Sequence, residues 1–252
     1  IAEAEKLRSE IERLRSEAEK LEVPKGVPVR SSRPKQWYES YRWTFTTSGR
    51  LVVGGKDAST NVRLLKRHVD GDDLVFHAEV RGSPVVLLKG GASDEADVVQ
   101  AATFCAAYSR AWREGLGSMS VYYVRPEQVS FTPPPGTYLE KGSFIVKPPK
   151  NYVIVELKIA IGITADGEAI CGHPDYVKSV SVAYAVIRPG RRQARELVEE
   201  LVRAVERATG SRPDDRLVER LVSLVPYGAG ELVELRVQRA KTDARSPENG
   251  MG

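Results

Sequence analysis

Apolar residues near the start of the chain repeat with the spacing of a coiled-coil helix. They recur three and four positions apart, at Ala4, Leu7, Ile11, Leu14, Ala18 and Leu21. A seam of this kind needs a second helix to cover it. Pro24 and Gly26 then interrupt the pattern, so we predict a coiled-coil arm over 1–22 and a linker over 23–35. An amphipathic helix folded onto its own domain would show the same spacing and is the alternative.

Beyond the linker, short apolar segments alternate with turn residues. Residues 51–53 form an apolar strand between a turn at 47–49 and the glycine pair Gly54-Gly55. Asp57 follows where it can cap a helix, and the next apolar residues have helical spacing. A strand, a glycine pair and a helix start can leave backbone amides open to an anion. A tight turn closed by the Asp57 cap is the alternative.

The rest of the chain alternates in the same way between strand and helix patterns. The predicted elements are a helix over 94–114, a strand over 152–163, a turn at 165–167, a strand over 180–187, helices starting near Gly190 and Pro213, and a strand over 231–237. Gly210 is placed to end the first of these two later helices. Strands joined by short turns, with helices laid over them, predict an α+β fold with mostly antiparallel sheets, preceded by the coiled-coil helix.

These changes in pattern also divide the chain into segments. After the arm and the linker we predict one domain over 36–152 and an α+β extension over 153–241. Residues 242–252 have little apolar surface to bury, so we predict a disordered tail.

Composition narrows the class of protein. The chain has 252 residues, of which 41% are hydrophobic and 29% charged, as is usual for a globular protein. It has neither an apolar run of the ~20 residues that span a membrane nor an export signal at its start, so we predict a cytoplasmic protein with no membrane partner. Cys105 and Cys171 give no disulfide framework. The low content of Asn, Gln, Cys and Met is typical of heat-adapted, thermophilic proteins.

Charge is distributed unevenly, although the net charge is only +4. Residues 25–67 contain ten Lys or Arg against two acidic residues, whereas residues 68–100 contain two basic and seven acidic residues. The basic segment also carries Trp37, Tyr38 and other aromatic residues. RNA-binding surfaces combine cations for phosphates with rings on which bases stack. Because alternate strand residues face opposite ways, some of these rings must instead belong to the core.

Catalytic chemistry is sparse in the sequence. Its histidines are His68, His77 and His173. The alternation of strand residues places His77 on one face with Glu79, where a metal or general-base role can be imagined. No second histidine stands at ligand spacing, so a hydrogen-bonded structural histidine is the favoured interpretation. We predict no metal site, no cofactor and no enzymatic activity.

Four strings of this sequence resemble the RNA-binding domain of the NFACT family. They are WYESYRWTFTTSGRLVVGGKDASTNVRLLK at 37–66, LVFHAEVRGSPVVLLK at 74–89, AAYSRAW at 106–112 and YLEKGSFIVKPPKNY at 138–152. The family includes bacterial RqcH, eukaryotic NEMF and proteins labelled fibronectin-binding. The resemblance is strong over 36–152 and weaker beyond, where the sequence is similar to the continuation in archaeal members.

The resemblance implies a noncatalytic module of a ribosome-associated quality-control factor. Such a factor binds the large ribosomal subunit that carries a stalled peptidyl-tRNA and supports template-free C-terminal tailing. The expected partners are tRNA or large-subunit rRNA and an amino-terminal NFACT domain. On this view the chain is a fragment, and its coiled-coil arm could pair with a second copy as a homodimer.

Charge, aromatic content and resemblance together select the site residues. We expect the RNA-binding residues to be Trp37, Arg42, Lys56, Asn61, Lys66, Arg67, Lys147 and Lys150. The residues that match the family motif are Gly54, Gly55, Asp57, His77 and Gly82. The alternative functions are a protein-interaction or dimerisation platform without direct RNA binding, and a fibronectin-binding adhesin.

Overall fold

The structure is a computed structural model and describes residues 34–80, 82–133, 136, 138–140 and 143–238. The predicted coiled-coil arm, most of the linker and the predicted tail lie outside these residues. The described residues fall into two units, one ending at Trp37 and one beginning at Tyr38. All strands and α-helices below belong to the second unit.

Twelve strands form three antiparallel sheets in the described residues. The strands are β1 (Arg42–Phe45), β2 (Leu51–Gly54), β3 (Leu74–His77), β4 (Val86–Leu88), β5 (Ser118–Val124), β6 (Val129–Ser130), β7 (Ile145–Val146), β8 (Asn151–Glu156), β9 (Ile159–Thr164), β10 (Ala169–Gly172), β11 (Ser181–Gln193) and β12 (Ala229–Val237). The first sheet has the order β1-β2-β4-β3-β5-β8, the second β10-β9-β11-β12, and β6 pairs with β7.

Six α-helices accompany the sheets in the described part of the chain. They are α1 (Ala58–Arg67), α2 (Glu95–Ala107), α3 (Arg110–Arg113), α4 (Pro174–Val180), α5 (Ala194–Thr209) and α6 (Asp215–Leu224). Antiparallel sheets with packed helices confirm the α+β prediction. No helix among the described residues combines the length and the apolarity that crossing a membrane requires.

The central strands of the six-stranded sheet are buried on both faces because they are apolar without interruption. Val53 and Val75 point to one face, where they pack with Leu64 and Leu65 of α1. Their neighbours on the same strands point to the other face and join α2 in a larger core. Full burial of each such side chain contributes about 1.5–3 kcal/mol. This packing fixes the start of α1 beside the ends of β2 and β3.

The larger core also joins the two sheets. Ile159 and Ile161 of β9 and Ala185 of β11 lie in the same buried cluster as Val121 of β5 and Val155 of β8. Apolar residues of α5 complete this cluster. The domain boundary predicted at 152–153 lies inside β8, and the segments on its two sides share this core.

Several local predictions are confirmed. β1 and β2 form the expected hairpin, and Gly49 in its turn has a φ of 85°. Gly210 ends α5 with a φ of 72°, in the left-handed region that favours glycine. The expected last strand is β12.

Three predicted elements differ from the structure. The helix predicted over 94–114 is interrupted after α2. The Oγ of Ser109 donates to Ala106 O and accepts from the amide of Ala111, so Ser109 caps the start of a separate helix, α3. The strand predicted over 152–163 is divided into β8 and β9. β11 continues to Gln193 in its ladder with β12, so the next helix starts at Ala194 rather than near Gly190.

Candidate nucleic-acid interface

The turn between β2 and α1 is closed by a reciprocal cap. Asp57 Oδ1 accepts from the amide of Thr60 at 2.8 Å, and Thr60 Oγ1 accepts from the amides of Lys56 and Asp57 at 2.8 and 2.9 Å. The amide of Thr60, followed by the hydroxyl of Ser59, holds the pKa of Asp57 below its usual value. These amides already donate within the protein, so the structure favours the capped turn over a backbone site for an anion.

Asn61 explains why a glycine precedes this cap. Asn61 Oδ1 accepts from the amide of Val85 at 3.0 Å and thereby joins α1 to the start of β4. A Cβ atom added to Gly55 would lie 1.9 Å from this same oxygen. The amide of Gly55 donates to Val85 O at 2.9 Å. The side-chain oxygen of Asn61 therefore serves the fold rather than facing a ligand.

A cleft of about 710 Å³ opens beside this turn. Its lining includes three cationic side chains, Arg42, Lys56 and Lys150, and the rings of His77 and Tyr122. The cations come from β1, from the turn before α1 and from the residue before β8. Two carboxylates, Asp57 and Glu140, also line it, so the cations exceed the acidic groups by one. The cleft thus combines a small excess of positive charge with aromatic surface, the two features that single-stranded RNA sites share.

Arg42 and Lys56 hold their charges without a carboxylate partner among the described residues. Arg42 Nη1 donates to Gly55 O at 2.9 Å, and its Cζ lies 4.8 Å from the centroid of the Tyr108 ring. Lys56 Nζ donates to Ser40 O at 2.8 Å. Partial burial, followed by the charges of Arg42 and Arg220, lowers the pKa of Lys56. Both cations are therefore available to an anionic ligand.

Lys150 differs from these two cations because it is paired. Its Nζ lies 2.6 Å from Glu79 Oε1 and 4.4 Å from the centroid of the Tyr122 ring. The Tyr152 hydroxyl donates to the same carboxylate oxygen at 2.9 Å. The bonds from Lys150 and then Tyr152 lower the pKa of Glu79. Glu79 therefore offsets part of the positive charge that Lys150 brings to the cleft.

His77 is fixed in a single tautomer at the cleft wall. Its Nδ1 lies 3.0 Å from Pro84 O, and because a carbonyl only accepts, Nδ1 carries the proton. Burial lowers the pKa of His77, so the ring is neutral at pH 7. Glu79 bonds to Lys150 instead of His77. Within the described residues no three His, Cys, Asp or Glu side chains are placed to hold a metal ion.

The comparison with protein families concerns the segment that builds most of this cleft. Residues 40–148 match the family described as NFACT protein RNA binding domain. These residues belong to the NFACT family. The family resemblance predicted from the four sequence strings is therefore confirmed.

Three relatives of the NFACT segment are named as quality-control proteins or their homologues. The archaeal Rqc2 homolog aRqcH of Methanocaldococcus jannaschii is 30% identical over 208 residues, which are 80% of this chain and 30% of that protein. The NEMF homolog subunit of the ribosome quality control complex in Drosophila melanogaster is 33% identical over 120 residues, 46% of this chain and 12% of that protein. The human NEMF subunit is 29% identical over 135 residues, 52% and 12% of the two chains. The chain thus spans less than a third of the length of these relatives.

One solved structure is also similar to this NFACT-containing chain. It is the C-terminal part of the fibronectin/fibrinogen-binding protein from Streptococcus suis, with 17% sequence identity and a TM-score of 0.42. The match covers 61% of this chain and 53% of that chain.

The structure brings eight of the thirteen site and motif residues named from the sequence to the cleft. They are Arg42, Gly55, Lys56, Asp57, Asn61, His77, Gly82 and Lys150. Gly54 is buried in β2, where a Cβ atom would lie 3.2 Å from Val86 Cγ2. Lys66 Nζ lies 4.9 Å from the centroid of the Phe131 ring, and Arg67 and Lys147 are exposed outside the cleft lining. Trp37, which is 38% exposed, belongs to the first unit.

A smaller pocket of about 310 Å³ adjoins the cleft and shares Arg42, Lys56 and Tyr108 with it. Its other side is formed by residues beyond the NFACT segment, including Cys171 and Arg220. Sequence reasoning missed Tyr108 and Arg220, because only the fold brings α2 and α6 beside β1. Burial raises the pKa of the Cys171 thiol to about 11, which leaves it protonated and unreactive at pH 7.

Proposed function

We propose that the cleft binds RNA and that the chain is a noncatalytic RNA-binding module of a ribosome-associated quality-control factor. The observation that carries the proposal is that Arg42 and Lys56, both in the NFACT segment, line a cleft with no carboxylate partner among the described residues. Phosphates would neutralise these charges, and RNA bases would find beside them the ring of Tyr227, which lines the same cleft and is 47% exposed. The relatives are named as quality-control proteins or their homologues, which supports a role in ribosome-associated quality control.

Within the whole protein, we propose tRNA or large-subunit rRNA as the bound RNA. The protein would act in the cytoplasm on large ribosomal subunits that carry stalled peptidyl-tRNA, and would support template-free C-terminal tailing. This module would contribute affinity and position, together with an amino-terminal NFACT domain. Peptide-bond chemistry would belong to the ribosome.

The test is tRNA binding by the purified chain across a salt series, with an unstructured single-stranded RNA for comparison. We expect log Kd to change with log salt by a slope of about 3 to 5 in magnitude, which corresponds to roughly four to seven neutralised phosphates at ~0.7 each. Tighter binding of tRNA than of the single strand would support the named partner. The absence of binding at low salt would overturn the proposal.

One observation favours a second candidate, a protein-interaction platform. β8 lies at the edge of the six-stranded sheet, and its Ile154 and Tyr152 side chains are 78% and 54% exposed. An exposed strand edge with apolar side chains can pair with a strand of another protein. Salt-insensitive binding to the amino-terminal domain, without affinity for RNA, would favour this candidate.

A further inference from the structure

The 310 Å³ pocket collects three cations from distant parts of the chain. Arg42 lies on β1, Lys56 precedes α1, and Arg220 lies on α6. Arg220, like the other two, forms no ion pair with a carboxylate of the described residues. Glu39 also lines the pocket, so positive charge exceeds negative charge there. Like charges that are held close together repel one another, and a bound anion would relieve this repulsion.

The charges do act on one another in the folded protein. After burial, the nearby charges of Arg42 and Arg220 are the main causes that lower the pKa of Lys56. Arg220 is thus electrostatically coupled to a residue of the NFACT segment. The fold of the C-terminal part of the chain keeps it there, since α6 packs on β9 and β10.

Aromatic side chains also line this pocket. Trp43, Tyr108 and Tyr176 are among its lining residues. The Tyr108 hydroxyl donates to Leu224 O at 2.7 Å, which fixes the ring, and the Arg42 guanidinium lies 4.8 Å from its centroid. A pocket for phosphate alone would not need these rings. Its volume is at the lower end of the ~300–1,000 Å³ range of small-molecule sites, which suits one nucleotide and excludes a duplex.

We infer that this pocket binds one unstacked nucleotide of an RNA strand. Arg42, Lys56 and Arg220 contact its phosphate, and its base lies against the aromatic wall. The shared residues Arg42, Lys56 and Tyr108 connect the pocket to the cleft, so one strand can follow both. The inference rests on the proposed RNA binding and extends it, since it makes Arg220 a phosphate ligand supplied from outside the NFACT segment.

Mononucleotides test the pocket without relying on RNA. The chain is labelled with 5-fluorotryptophan, and the ¹⁹F resonance of Trp43 is assigned with the Trp43→Phe variant. We expect CMP or AMP to shift this resonance saturably, and to do so at lower concentration than cytidine or inorganic phosphate at equal ionic strength. An equal response to inorganic phosphate would reduce the site to an anion site and overturn the inference. No shift with any of the four compounds would also overturn it.

A pair of variants on α6 then tests the link to RNA. Arg220→Ala removes the proposed phosphate ligand, whereas Arg216→Ala removes the same charge one turn away, outside the pocket lining. We expect Arg220→Ala to weaken binding of a single-stranded RNA about tenfold, because it loses a hydrogen bond to a charged group. Arg216→Ala should change affinity less than about twofold, since a distant charge is screened by salt. Arg220→Lys keeps the charge and should recover most of the affinity.

The outcomes separate the two proposals. Strong RNA binding with equal small effects of Arg220→Ala and Arg216→Ala would overturn the nucleotide pocket and leave the cleft function intact. A nucleotide-specific shift of Trp43 without RNA binding would overturn the RNA function and retain a nucleotide site. Both alanine variants change exposed side chains, and thermal unfolding of each verifies that a loss of binding is not a loss of fold.

Discussion

The side-chain oxygen of Asn61 occupies the position that a β-carbon of residue 55 would need, at a separation of 1.9 Å. The second glycine of the Gly54-Gly55 pair is therefore required here by close packing. Gly55 lacks a side chain so that Asn61 can reach the backbone of Val85. The glycine pair resembles a phosphate-binding loop, but in this chain it makes room for the hydrogen bond that joins α1 to the start of β4. We call this contact the α1–β4 joint.

This joint predicts a cost for Gly55→Ala. The added methyl group must displace Asn61, so we expect the free energy of unfolding to fall by about 1–3 kcal/mol, measured by urea denaturation. Gly71→Ala is the matched control, because a Cβ atom at Gly71 would have no other atom within 4 Å. Equal stability of the two variants would show that the Asn61 contact is not rigid.

The neutral ring of His77 predicts a pH dependence of stability. Burial lowers its pKa in the folded state, so its stabilising contribution is complete above the unfolded value of about 6.5. That contribution is lost as the pH falls from about 6.5 toward the folded pKa, because the unfolded chain takes up the proton first. His77→Asn, which can still donate to Pro84 O, should flatten the unfolding free energy between about pH 7 and 5. An unchanged pH profile would contradict the assignment. Burial also lowers the pKa of the less buried His68, so His68→Asn, as the comparison, should flatten the profile less than His77→Asn.

Charge reversal at the cleft should reduce RNA affinity. Lys56→Glu places a carboxylate beside Arg42, so we expect at least about tenfold weaker tRNA binding and a salt slope lower by about one unit. Arg63→Glu makes the same change on an exposed position of α1 outside the cleft lining and should have a smaller effect. Lys66→Glu, beside Phe131, should also weaken binding less than Lys56→Glu. If Lys66→Glu weakened binding more than Lys56→Glu, the interface would lie at the C-terminal end of α1 instead.

Removal of the Glu79 carboxylate should increase the affinity for RNA. Glu79→Gln frees Lys150 from its 2.6 Å ion pair, so RNA affinity at low salt should rise by a few fold, since a phosphate can then take the place of the carboxylate. Glu156→Gln is the matched control, because Glu156 is likewise paired with a lysine, Lys158, at 2.8 Å. If both variants bind RNA equally, Lys150 does not contribute to the interface.

Local features of this fold could be predicted from the sequence because they depend on neighbouring residues. The β1–β2 hairpin, the Asp57 cap and the Gly210 helix end each follow from a short motif. The extension of β11 to Gln193 could not, since it depends on a ladder with β12. The break at Ser109 depends on hydrogen bonds of its own hydroxyl to Ala106 and Ala111, which the apolar pattern does not reveal. Apolar content alone continues a helix through Ser109.

The candidate site shows the same division. The cations Arg42, Lys56 and Lys150 are among the predicted residues because they lie in recognisable strings, and the structure places them at one cleft. Neither the pairing of Lys150 with Glu79 nor the approach of Arg220 to Lys56 has a sequence signal. Both are contacts between residues far apart in the chain.

The core shared by the two larger sheets limits how this chain can be divided. A fragment ending at residue 148 would keep β5 but lose β8, its hydrogen-bonding neighbour. It would also lose Ile159, Ile161 and the other β9 residues that share one buried cluster with β5 and α2. Such a fragment would present a bare strand edge and an uncovered apolar layer, both of which promote aggregation. The unit that can be excised, fused or exchanged between proteins is therefore larger than the segment by which its family is recognised.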